Sequence, residues 1–139
     1  MGRIGKSAIV LAAITVLALP AIVRAANLSL ASLVGTWHNT DPNMGGIVTI
    51  IITDAGGIQI QAFSACSPDL CDWGVVDGTD YGRNESSVRA TTFLANYGTD
   101  HGDSVMTGSL AGAYLRVDVF TQAVGGRSDT VWSGVFTRE

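Results

Sequence analysis

Two cysteines, two histidines, three tryptophans and twelve carboxylates are the side chains of this 139-residue chain from which chemistry or recognition could be built. Cys66 and Cys71 have four residues between them, not the two of a redox dithiol. With His38 and His101 as the only other soft ligands, no pair stands at zinc-site spacing. An even cysteine count in an exported chain reads instead as one disulfide around Ser67-Pro68-Asp69-Leu70, contributing about 2 kcal/mol for so short a closure. Neither histidine has a nucleophile beside it in sequence, and nothing brings a Ser, a His and an acid together for acyl transfer. The acids are scattered, so no pair stands out for glycoside hydrolysis. Asp100 and Asp103 share a glycine-rich turn without the ligand spacing of a calcium loop. The expectation is a protein with no catalytic residues, no metal and no cofactor: a binder, not an enzyme.

Aromatic residues are the better candidates for recognition. Trp73 follows the cysteine loop directly, where an indole can lid a ligand or pack the loop onto a rim. Trp132 shares a strand face with Gly134, whose missing side chain leaves room beside an indole, although a strand glycine can also mark a bulge.

These side chains need elements to position them. Residues 1–25 read as a cleaved signal peptide: Arg3 and Lys6 are the basic start, Ala8 to Leu19 the apolar stretch, and Val23-Arg24-Ala25 a small-residue cleavage site. The apolar run ending at Val23 is shorter than the roughly 20 residues that span a bilayer. The expected product, residues 26–139, is one domain with one core, secreted or periplasmic, and off the membrane once the leader is removed. It keeps five arginines, no lysine and all twelve acids, a balance that argues against nucleic acid as a partner.

No stretch of 26–139 places apolar residues at i, i+3, i+4 and i+7 over three turns, whereas several alternate at period two. Leu115, Val117, Val119 and Thr121 oppose Tyr114, Arg116, Asp118 and Phe120, and Ile58, Ile60 and Ala62 oppose Gln59, Gln61 and Phe63. Ile47 to Thr53 is β-branched on both faces, as a strand is when a terminus or a partner subunit covers its outer side. Seven turn signals separate eight predicted strands, at 34–40, 46–53, 57–65, 73–78, 87–96, 104–110, 113–122 and 129–138. The fold class is all-β, an eight-stranded antiparallel up-and-down β-barrel in which closure of first on last strand removes exposed edges. Ala26 to Ser32 reads as a frayed start or a functional arm.

Gly35-Thr36-Trp37 near the start of the domain and Phe136-Thr137-Arg138 at its end resemble the calycin group of barrels: lipocalins, fatty-acid-binding proteins and avidins. The resemblance implies that Trp37 and Arg138 are structural, the guanidinium lying over the indole to plug one end. Gly35-Thr36-Trp37-His38-Asn39, Ala90-Thr91-Thr92-Phe93 and the Phe-Thr-Arg ending are most similar to avidin-like proteins. That similarity implies Asn39 as a polar ligand contact and Phe93 in the place of a pocket Trp. Asn43 and Gly134 depart from the avidin pattern where a Ser and an Asp are expected, which argues against tight biotin binding. The expected function is a secreted binding protein of calycin or avidin-like type, with a small molecule held in or at the barrel mouth near Asn39, Trp73, Phe93 and Trp132. The alternative is a protein partner, as for a protease inhibitor acting through the N-terminal arm or the Cys66–Cys71 loop. Oligomeric state stays open.

Overall fold

The computed structural model describes residues 27–41, 43–100 and 102–139; the signal-peptide expectation and His101 lie outside them. Eight strands follow one another: β1 (Gly35–Asn39), β2 (Ile47–Asp54), β3 (Ile58–Ser64), β4 (Cys71–Tyr81), β5 (Thr92–Thr99), β6 (Gly102–Ala111), β7 (Tyr114–Ala123) and β8 (Thr130–Arg138). Each pairs antiparallel with the next, and β8 returns to β1, closing the barrel. The closing register sets Trp37 opposite Arg138 and Asn39 opposite Phe136, the strand adjacency anticipated from the two ends of the domain. An eight-stranded closed antiparallel barrel is consistent with the calycin-like fold.

Period-two alternation becomes inside and outside. Ile50, Ile60, Phe93, Met106, Val117 and Phe136 are fully buried in the bore, while their sequence neighbours face outward or lie half-exposed. Two glycines seat rings: a Cβ at Gly108 would collide with Phe93, and one at Gly134 with Trp132. On the outer side of β2, Ile51 is half-buried, flanked in register by Thr36 of β1 and Gln61 of β3.

Three expectations change. Asp80-Tyr81-Gly82 was expected as the β4 turn, but Asp80 and Tyr81 pair with Phe93 and Thr92, so β4 runs longer and the connection spans 82–91. The strand expected over 87–96 starts at Thr92 and continues through Gly98, which pairs with Asp103. The arm is not frayed: Leu30 and Leu33 are buried, and Ser29 forms a parallel bridge to Arg89, with Ser29 N–H on the Val88 carbonyl and Ala90 N–H on that of Ser29, each at 2.9 Å. A leucine pair at this spacing gives no period-two signal, because the arm lies across the barrel end and not along its wall.

That end is sealed by the expected pair. The Trp37 indole N–H donates to the Leu33 carbonyl at 2.8 Å, and the Arg138 guanidinium carbon lies 5.3 Å from the indole centroid. Arg138 Nη1 faces the carbonyls of Ala31, Ser32 and Val34 at 3.2–3.4 Å, so one cation ties the arm to the last strand. Gly35 makes this geometry available: its φ is 144°, and a Cβ there would stand 2.8 Å from Arg138 Cδ.

Candidate functional site

One end is plugged, with a depression of about 550 Å³ left outside the plug beside Trp37 and Arg138, and the middle of the bore is packed; a second depression lies at the opposite end, where β3 ends, β4 begins and the β5–β6 connection turns. A depression of about 670 Å³ is lined there by Ser64, the Cys66–Cys71 disulfide, Asp72, Trp73, the Gly98–Asp100 segment, Ser104 and Thr121. The disulfide holds the loop across one side, with its Cα atoms 5.5 Å apart. Beyond it, Gly74 has a φ of 83° and sits at the register shift between β3 and β4 that follows Gln61. This irregularity aims Trp73 into the mouth.

The polar groups of the mouth are held in place. Trp73 Nε1 donates to Ser64 Oγ at 3.0 Å, and its ring meets Tyr97 edge-on with centroids 5.4 Å apart. Tyr97 hydroxyl donates to the Ile60 carbonyl at 2.8 Å; burial, with the Asp72 carboxylate adding to it, pushes its pKa up. Asp72 itself accepts from the Gly74 N–H at 2.8 Å and from the Gln61 amide at 3.0 Å. Deeper, Ser104 is buried and shares a 2.8 Å hydrogen bond with Thr121. The described lining carries hydroxyls, two carboxylates and one indole, and no lysine or arginine. Such walls suit a compact ligand that donates hydrogen bonds and offers an apolar or cationic face to the indole.

The residues singled out as ligand contacts are not brought together. Trp73 lines the depression, as a mouth residue fixed to the rim. Asn39 lies elsewhere, its amide donating to the Ile47 carbonyl at 2.8 Å and its oxygen accepting from the Asp41 N–H at 2.9 Å. Both ends of its side chain therefore hold the β1–β2 connection. Phe93 is fully buried against Gly108, in the core. Trp132 packs between Gly46 and Gly134, edge-on to Phe136 at 6.3 Å, and its indole nitrogen is buried without a hydrogen-bond partner.

Ser64, Asp72, Thr99, Asp100, Ser104 and Thr121 are mouth residues that the sequence reading did not single out as site residues. Ser104 and Thr121 carried a usable signal: each is a polar residue at an inward position near a strand end, and Thr121 continues the inward face of Leu115, Val117 and Val119.

His38 has a hydroxyl and a carboxylate at hand that its sequence neighbours did not show. Its Nδ1 lies 3.4 Å from Thr49 Oγ1 and its Nε2 3.4 Å from Glu139 Oε2. Both distances are long, and the His38 and Glu139 side chains are 48% and 77% exposed on the outer wall. Water competes for every partner there, and no cleft brings a substrate to the hydroxyl, so this row lacks the geometry of a triad. Among the described residues no group of three or more His, Cys, Asp or Glu side chains is placed to hold a metal ion.

Comparison with protein-family models, curated proteins and solved structures finds no match to this chain.

Proposed function

We propose that this protein is a non-enzymatic binding barrel of calycin type that holds a small, hydrogen-bond-donating, neutral or cationic ligand at its open mouth. The observation that carries this reading is the depression of about 670 Å³ over a packed bore, walled by Trp73, hydroxyls and the carboxylates of Asp72 and Asp100. The avidin-like wording of the strands supports the scaffold and not an avidin-like readout, since Asn39 spends its amide on the chain itself. The disulfide and the leader-like start support a secreted or periplasmic location. No helix among the described residues is long and apolar enough to cross a membrane.

Native mass spectrometry of the protein purified from its own secretions tests the reading. The parent protein should carry a bound small molecule, and Trp73→Ala should lower its retention about tenfold. Empty parent protein, or equal retention in both, would remove the proposal.

A second reading has one observation in its favour. The Cys66–Cys71 loop is exposed throughout, and Leu70 on it is 52% accessible, as a loop offered to a protease cleft would be. Along the arm, Leu30 is buried on the barrel end, while Asn27, Ser29 and Ala31 stay exposed.

A further inference from the structure

An outward-facing strand residue on a barrel wall is normally polar, and most of the β6–β7–β8 wall follows that rule. Thr107, Asp118 and Ser133 form one polar cross-strand row, with the Ser133 hydroxyl bonded to Asp118. Two residues along the strands the rule breaks: Val105, Phe120 and Val131 lie side by side in register. Phe120 is 51% exposed and Val131 63%, and Val124 in the adjoining turn is 54% exposed. The row floors a groove of about 500 Å³ whose edges include Asp103, Gln122, Asp129 and Thr130.

We propose that this groove is a docking site for a segment of another protein that presents one or two apolar side chains flanked by lysine or arginine. The apolar row supplies the desolvation that makes association favourable. Asp103 and Asp129 supply the sign: they stand at the groove edge, and no arginine lines it, Arg116 being drawn to Asp118, 3.6 Å away on the next row, and Arg127 lying outside the lining in the connection two residues before Asp129. The domain keeps five arginines and no lysine against twelve acids, so its overall field points the same way. A second copy of this chain fits poorly, because it would set a surface edged by Asp103 and Asp129, on a domain with an excess of acids, against another of the same sign. The groove meets the ligand mouth at Thr121, which lines both, but its floor is on the outer wall.

Fluorescence anisotropy with a labelled peptide of alternating lysine and leucine, and a glutamate–leucine counterpart, tests the proposal on the intact protein. The lysine peptide should bind and the glutamate peptide should not. Phe120→Ser, at a half-exposed position on the outer wall, should weaken binding about tenfold. Asp103→Asn with Asp129→Asn should weaken it severalfold and flatten its salt dependence; the new amide at 129 keeps an oxygen for the Ala123 N–H. Far-UV circular dichroism and thermal melts establish that both variants are folded. No binding of the lysine peptide up to millimolar concentration overturns the proposal. So does binding that Phe120→Ser leaves within about twofold, which is charge attraction alone. A sedimenting dimer that Phe120→Ser splits would likewise overturn it, with the groove then filled by a second copy.

Discussion

Tyr97 links the interior of the mouth to its rim: its hydroxyl is held by the Ile60 carbonyl, its ring by Trp73, and the Asp72 carboxylate lies close enough to oppose its ionisation. Burial, then Asp72, raises its pKa above the ordinary 10.0. A raised folded-state value means that the fold favours the neutral phenol. The resulting stabilisation is fully present below pH 10 and is lost as pH rises above it, where the unfolded chain ionises first. Urea unfolding of the parent should therefore show stability falling above pH 10, and Tyr97→Phe should remove that part of the fall. Equal alkaline slopes in the two proteins would refute the assignment. Other residues show how far a single position can be read in advance. The avidin-like resemblance offered Asn39 and Phe93 as ligand contacts, yet strand wording cannot report depth along the barrel axis. Phe93 lies in the core because Gly108, fifteen residues later, leaves its ring a seat. Asn39 was decidable locally: an Asn whose oxygen accepts the N–H two residues on is an Asx turn, and Asp41 provides that N–H.

At the level of elements, alternation and turns made the eight strands legible, and the similarity of the two ends made their adjacency legible. What stayed hidden was the work of segments without a period. Strand β4 lengthens to Tyr81 because its partner β5 starts at Thr92, and the pairing overrides the turn signal of Asp80 and Gly82. The arm has no strand of its own, and its leucines are recognisable as core only once the barrel end they cover exists. Leu33 N–H and Val34 N–H both bond the Leu30 carbonyl, at 2.9 and 3.0 Å, folding the arm so that the Leu33 carbonyl meets the Trp37 indole. Trp37, Leu33 and Arg138 are thus one closure contributed by three parts of the chain. Leu33→Ala should cost about 2–5 kcal/mol in chemical denaturation, as a fully buried leucine does when the cavity cannot collapse. A midpoint unchanged from the parent would show that the arm merely lies on the barrel without stabilising it.

For the whole molecule, the two barrel ends differ: one is plugged by the arm, Trp37 and Arg138, and the proposed ligand mouth lies at the other. The closed sheet is held by eight registered pairings, none of which depends on the disulfide for continuity. Cys66 and Cys71 flank a loop of four residues beside the Ser64–Cys71 pair, where the ladder between β3 and β4 already brings the chain together. The bond therefore limits a loop more than it limits the fold, and it contributes about 2 kcal/mol at that loop length. Replacing both cysteines by serine should leave the far-UV spectrum of the barrel intact and lower unfolding free energy by about that amount. The larger consequence should fall on the mouth, because the loop walls the depression and immediately precedes Trp73. Retention of a bound molecule should drop in the double variant at a temperature where the barrel is still fully folded. If retention and stability fell together and in proportion, the disulfide would be a support for the whole barrel and not for the mouth in particular.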